Sequence, residues 1–243
     1  MTNNNNDNNI TTQSDWQDYW KNYRFDRIPD KVVFEKYMPL LKQGESFIEI
    51  GGFPGIYAAY FYKQGITDVT ILDFYMDSKI VRKLEKLNHI PENTIQCINA
   101  DFFKFSSDKK YDIVFSSGFV EHFHNTHDVI CRHIDLLSEN GQLLILIPNF
   151  RGLNGLIQRW FDKDNLNAHN LHSMEIPYLQ EIIQTFGLKD VRIEYIGKPM
   201  LWLEPKPENK GKQKLVKTLS YAIKLFPFKG QFLSPFVAIY AGK

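Results

Sequence analysis

From residue 46 to residue 148 the chain alternates short, β-branched apolar runs with amphipathic stretches, and few folds satisfy that alternation. Ser46–Ile50, Val69–Asp73, Ile95–Asn99, Tyr111–Ser116 and Leu143–Ile147 each read as a strand. Between them, Ile56–Gln64 (stopped by Gly65), Ser78–Leu87 and Val129–Leu137 (ending before Asn140-Gly141) read as helices. Strands that are apolar on both faces are buried on both, and helical crossovers make neighbouring strands parallel. Val191–Ile196 and Pro235–Ala241 supply later strands. The expected fold is therefore α/β: a doubly wound, mostly parallel, seven-stranded sheet with helices on both faces and an antiparallel last strand.

A chain of 243 residues can fill one large core but not two ordinary domains with a linker, so residues 14–243 are expected to form a single domain. The Asn-rich segment 1–13 reads as a disordered tail or a surface arm. Ser14 reads as a helix cap before Asp15, Trp16, Tyr19, Trp20 and Tyr23 at helical spacing. A second helix is expected from Pro29 to Leu41, with Val32, Val33, Tyr37, Leu40 and Leu41 toward the sheet. Residues 150–173 look irregular, Ile176–Phe186 helical up to Gly187, and Glu204–Lys214 charged and Pro-rich. A basic helix follows from Leu215 to Leu225. Segments 150–175 and 204–230 are expected to cap the sheet edge.

Composition narrows the function classes. Hydrophobic residues at 43% and charged residues at 23% are the balance of a soluble globular protein. A formal charge of +1 gives no global attraction to nucleic acid. The two cysteines, Cys97 and Cys131, form neither zinc spacing nor a disulfide framework. The N-terminus does not read as a signal peptide, and no apolar run reaches the ~18 residues of a membrane span, so a cytoplasmic location is expected.

Chemistry concentrates at the ends of successive strands. Phe47-Ile48-Glu49-Ile50-Gly51-Gly52-Phe53-Pro54-Gly55 is a strand with a late acidic residue, a glycine turn and a helix start. Glycines there let backbone approach a ligand, and Glu49 can bind an amine or hydroxyl. Asp73 ends the next strand, where a carboxylate can take both hydroxyls of a ribose, and Phe74 follows it. Asp101-Phe102 ends the third strand and offers a carboxylate for an adenine amino group with a ring to stack on it. Bland readings stand beside these: Glu49 as a helix-dipole partner, Asp73 as a helix cap, Phe102 or Phe103 as core.

With these residues in order, residues 45–196 resemble the class I S-adenosylmethionine-dependent methyltransferases. The resemblance implies S-adenosyl-L-methionine as cofactor and methyl transfer by in-line displacement. It places the methionine part on Glu49, Gly51, Gly52, Phe53 and Gly55, with Phe53 standing where the family has its middle glycine. It gives the ribose to Asp73 and Phe74 and the adenine to Asp101 and Phe102. Ser116-Ser117-Gly118-Phe119-Val120-Glu121-His122 resembles the segment beside the transferred methyl, with Ser117 and Gly118 at the cofactor. His169 and His172, before a helix ending in Phe186-Gly187, resemble the acceptor side of small-molecule enzymes related to quinone biosynthesis. The resemblance also implies an N-terminal lid over the cofactor at 14–43; a helix packed on the sheet edge is the alternative.

The expected acceptor is a small molecule, a hydroxylated metabolite or a sugar, lipid-linked in one version. Methyl transfer needs alignment and exclusion of water, and a hydroxyl acceptor gains from a base near pH 7, for which His169 and then His122 are the candidates. His124 and His127 read as exposed loop residues. No metal site is expected, because Ser116-Ser117-Gly118 is not acidic and the histidines lack ligand spacing. Nucleic-acid methylation is disfavoured, since no Asn/Asp-Pro-Pro-aromatic motif follows strand four. A nicotinamide enzyme needs Gly-x-Gly-x-x-Gly, which is missing; the remaining alternative is a non-catalytic cofactor- or nucleotide-binding module. The basic segment 210–228 either touches an anionic membrane surface or packs as an ordinary helix. Neither the atom methylated nor the oligomeric state is encoded legibly.

Overall fold

The computed structural model describes residues 8–12, 14, 16, 20, 27–41, 44–204, 210–224 and 229–243. Its seven strands are β1 (Ser46–Ile50), β2 (Asp68–Asp73), β3 (Ile95–Asn99), β4 (Tyr111–Ser117), β5 (Leu137–Pro148), β6 (Lys189–Ile196) and β7 (Phe236–Gly242). They form one sheet in the order β3-β2-β1-β4-β5-β7-β6. Strands β1 to β5 pair in parallel, and β7 runs antiparallel to both β5 and β6. The expected fold class holds.

The helices are α1 (Met38–Leu41), α2 (Ile56–Lys63), α3 (Ser78–Leu87), α4 (Thr126–Asp135), α5 (Leu153–Phe161), α6 (Lys163–Asn167), α7 (Ile176–Ile183) and α8 (Lys210–Ile223). Alternate residues of each strand point to opposite layers. Phe47, Ile113, Phe115 and Leu144 pack with Ala58, Phe61, Val81 and Leu84 of α2 and α3. Ile48, Val114, Leu143 and Ile145 pack with Val129, Ile130, Leu179 and Ile182 of α4 and α7. This two-residue period within buried strands is what places helices on both faces. Local stops behave as the sequence implies: Asp77 caps α3 through Lys79 N–H, and Gly65 and Gly187 take positive φ after their helices.

Three expectations change, and one open alternative is decided. The helix read over Pro29–Leu41 contracts to a 3-10 turn (Glu35–Tyr37) and α1, because fully buried Phe34 wedges a non-helical turn among Tyr57, Phe61 and Phe115. The irregular stretch 150–173 is mostly helical. Its buried face carries Asn154, Gly155 and Gln158 beside Ile157, which hides the apolar period; Asn154 and Gln158 donate to the carbonyls of Met200 and Trp202. Strand β5 starts at Leu137 and runs through Asn140-Gly141, after a register shift opposite Tyr111 and Ile113. Of the two readings of segment 1–13, residues 8–12 take the surface-arm one and lie against the end of the sheet. There Asn9 bridges Phe123, and Ile10 N–H donates to the His122 carbonyl. Asp15, Tyr19, Tyr23, the 205–209 patch and the helix end at Leu225 lie outside the described residues. Among those described, no helix is long and apolar enough to cross a membrane.

Candidate functional site

Strand order reverses between β1 and β4, each of which has its next neighbour on the opposite side. The carboxyl ends on either side of such a switch point open a crevice, because the connections leave in opposite directions. Glu49, Asp73 and Asp101 sit at or just beyond the carboxyl ends of β1, β2 and β3, on the β1 side of that switch point. The turn after β1 is tied to the end of β2: Gly51 N–H donates to the Leu72 carbonyl at 2.8 Å, and Phe53 N–H to Asp73 Oδ2 at 3.2 Å. Gly51 has φ +65, and a Cβ there would overlap the Phe119 ring, so this position needs glycine. Gly55, at φ +99, is the N-cap of α2.

Glu49 is buried, and its Oε2 accepts Ala58 N–H from the first turn of α2 at 3.1 Å. Burial pushes its carboxyl well above the usual range, with that hydrogen bond opposing. The helix-partner reading of Glu49 is thus realised. The cap reading of Asp73 is not, since Asp77 caps α3. Asp73 Oδ1 instead accepts Tyr75 N–H at 3.0 Å, and burial raises its carboxyl to about 6 against these backbone hydrogen bonds. Phe74 lies half-buried beside it.

Asp101 accepts Phe103 N–H at 2.9 Å and pairs with Lys104 at 3.5 Å. Phe102 is the buried one of the two rings and meets Phe119 edge-on at 5.3 Å and His133 edge-on at 5.0 Å. Phe53 is buried too, between Trp20 (5.0 Å) and Tyr75 (5.2 Å), both edge-on. Ser117 and Gly118 end β4 half-buried, and Ser117 hydrogen-bonds the Tyr57 hydroxyl.

Of the histidines singled out in the sequence, His122 and His169 come together and the rest do not. Their rings lie 4.7 Å apart. Each Nδ1 faces a carbonyl, Ala168 for His122 at 3.1 Å and Asn165 for His169 at 2.6 Å. A carbonyl only accepts, so both Nδ1 atoms carry the proton and both Nε2 atoms keep a lone pair. Burial pushes His122 down to about 3, helped by His169, and His169 down to about 4. Both are neutral at pH 7 and weaker bases than an exposed imidazole. His124 is exposed; His127 is exposed in the first turn of α4 rather than in a loop; His172 stacks on Tyr178 beside Glu175.

Glu121 is the residue that sequence reasoning quoted without using. It is fully buried, and neither carboxylate oxygen has a hydrogen-bond partner in any other described residue. Desolvation raises its carboxyl to about 8. Its Oε1 lies 3.8 Å from His122 Nε2, and ligand-type atoms of Glu121, His122 and His169 all fall within 4.8 Å of one another. The spacing argument against a metal-ligating set misses this convergence, because His169 arrives from the turn after α6. His169 also lines a cleft of about 560 Å³ with Arg159, Lys163, Leu166, Asn167 and Leu171. From the N-terminal segment, Trp16 meets His122 edge-on at 5.1 Å.

A family model described as a methyltransferase domain matches residues 19–193. No curated protein matches the chain in sequence. Among solved structures, a SAM-dependent methyltransferase from Archaeoglobus fulgidus is similar at 18% identity and TM-score 0.56, over 86% of this chain and 91% of its own. The plantazolicin methyltransferase BpumL, solved in complex with SAH, is similar at 17% identity and TM-score 0.56, over 87% of this chain and 81% of its own.

Proposed function

The chain belongs to the methyltransferase domain family and is an S-adenosylmethionine-dependent methyltransferase with the class I fold, and from that premise we propose that it methylates a small-molecule acceptor at the edge between β4 and the 121–171 segment. The observation that carries the reading is the Asp73 carboxylate at the switch point. It is fixed by the backbone N–H groups of Phe53, Tyr75 and Phe74, and three donors on a carboxylate's roughly four acceptor sites leave room for a ribose hydroxyl.

The donor set fits the cofactor. In this reading the backbone of Gly51, Gly52, Phe53 and Gly55 borders the methionine part, with Glu49 holding the turn through α2. Asp73 and Phe74 border the ribose, Asp101 and Phe102 the adenine, and Ser117 and Gly118 the sulfonium side. Bound S-adenosylmethionine supplies an activated methyl group on sulfur. The protein's own work is to align the acceptor and keep water away. Trp16 and Trp20, set against His122 and Phe53, support a lid role for the N-terminal segment.

His169, with His122 next to it, is the base we assign for a hydroxyl acceptor; each is neutral with its Nε2 lone pair free of the carbonyl contact. The cleft beside His169 is of metabolite size, and Arg159 and Lys163 on its wall suit an acceptor with an anionic group. A cytoplasmic location accords with the free Cys97 and Cys131. The basic helix α8 adds contact with an anionic membrane surface. Its Val216 is buried on Leu201 and Leu203, while Leu215, Leu219 and Tyr221 stay exposed among lysines.

The test is calorimetric titration with S-adenosylmethionine, S-adenosylhomocysteine and NAD, followed by transfer of labelled methyl to a panel of hydroxylated small molecules, proteins and RNA. The reading expects binding of the two sulfur compounds, none of NAD, and label in small molecules. Label only in a macromolecule, or binding with no transfer to anything, would overturn it, the latter in favour of a non-catalytic binding module.

A further inference from the structure

We infer that Glu121, His122 and His169 form a binding site for a divalent first-row transition-metal ion. The argument starts from what the three groups lack. His122 Nδ1 and His169 Nδ1 each donate to a backbone carbonyl, so the Nε2 atoms can only accept. A carboxylate accepts as well. With Glu121 ionised, as metal binding requires, three acceptors converge within 4.8 Å of one another with no donor among them. Both Glu121 oxygens are buried without a partner in any other described residue. A buried carboxyl group without a partner is costly, and in its ionised, ligating form it calls for a counter-charge.

A shared proton does not resolve the cluster as it stands, because 3.8 Å between Glu121 Oε1 and His122 Nε2 is beyond hydrogen-bond reach. A cation between them does. The carbonyl contacts at Nδ1 are the outer-shell arrangement that orients ligating histidines and raises their basicity. Two imidazoles and one carboxylate suit zinc and its neighbours, while magnesium and calcium prefer all-oxygen sets. Three protein ligands leave a coordination position open. Phe150 packs edge-on to His169 at 4.8 Å and Trp16 edge-on to His122 at 5.1 Å, so each imidazole has an aromatic ring against it. The cleft that His169 lines gives the entry path such a site requires.

For a part in catalysis the site rests on the acceptor-side reading above but replaces its base: with both Nε2 lone pairs on the ion, the ion and not His169 would hold an acceptor hydroxyl and make it more acidic. Metal binding itself does not depend on that reading. The experiment takes the full chain stripped with a chelator and titrates Zn²⁺ alone, without cofactor or acceptor, by calorimetry. Co²⁺ is added in parallel to read its visible absorption.

One ion per chain is expected, with a tetrahedral Co²⁺ spectrum that excess Mg²⁺ leaves unchanged. Glu121→Gln and His169→Ala should each weaken binding by roughly 10-fold or more, whereas His172→Ala, outside the cluster, should bind as the parent does. S-adenosylhomocysteine titrated into the same variants reports that the fold is intact. Absence of saturable Zn²⁺ binding in the parent overturns the inference. So does binding that survives both Glu121→Gln and His169→Ala. Either result would leave the methyltransferase reading, tested by the cofactor titration, standing.

Discussion

The Asp73 carboxylate accepts the backbone N–H of Phe53 at 3.2 Å, so the end of β2 holds the turn that follows β1. With Tyr75 N–H on its other oxygen, one side chain fixes two segments that border the proposed ribose site. Asp73→Ala should therefore remove a ligand group and loosen the turn together. Titration with S-adenosylhomocysteine should show at least a roughly 100-fold loss, each charge-assisted hydrogen bond being worth about 1.5–3 kcal/mol. Unchanged affinity would remove Asp73 from the site.

The same residue sets a pH dependence. Burial raises Asp73 to about 6, so in the free protein the carboxyl stays protonated up to that pH. Ribose hydroxyls donate best to the anion. Affinity for S-adenosylhomocysteine should then be full above about pH 6 and fall as pH drops through it. Calorimetry at several pH values tests this, and the slope should flatten in Asp73→Asn. A parent affinity that does not change on acidification would contradict the assignment.

His133 gives a stability effect of known sign. Its Nδ1 donates to the Val129 carbonyl at 2.8 Å, and its Nε2 meets the Ser116 hydroxyl at 3.0 Å. Burial lowers it to about 4, so the folded state resists a proton that the unfolded chain accepts near its ordinary value of 6.5. The unfolded state binds more protons in that window, and stability must rise with pH across it. His133→Gln should abolish a loss on the order of 2 kcal/mol between pH 7 and pH 5. Urea unfolding of parent and variant at both pH values measures it.

Gly51 cannot carry a side chain where it stands. Gly51→Ala combines a positive φ with overlap on the Phe119 ring, and should cost roughly 1–3 kcal/mol of stability. It should also weaken cofactor binding, because the turn and Phe119 must both move. Thermal unfolding with a parallel titration checks the pair of effects; Gly65→Ala, with open space around it, should show only the backbone strain.

The exposed side of α8 tests the membrane contact. Leu215, Leu219 and Tyr221 are exposed, and Lys212, Lys214 and Lys217 share their surroundings. Sedimentation with anionic vesicles should carry the protein down at low salt, neutral vesicles should not, and Leu219→Glu should release it. No sedimentation with anionic vesicles would leave α8 as a helix that packs through Val216 and Ile223 alone.

The sequence by itself determined the sheet, the turn and the order of the site. Strand and helix periods, glycines at positive φ and carboxylates at strand ends are local signals, and they put Gly51, Asp73 and Asp101 on one edge. Helix α5 was illegible because its buried face uses Asn154, Gly155 and Gln158, whose fit depends on carbonyls of Met200 and Trp202 far along the chain. Tertiary structure alone decided that Glu49 serves α2 through Ala58 and that Phe34 breaks its helix. It alone brought His169 to Glu121 and His122. Hydrophobic periodicity encodes which face of an element is buried; which remote side chains then meet is fixed only when those faces pack.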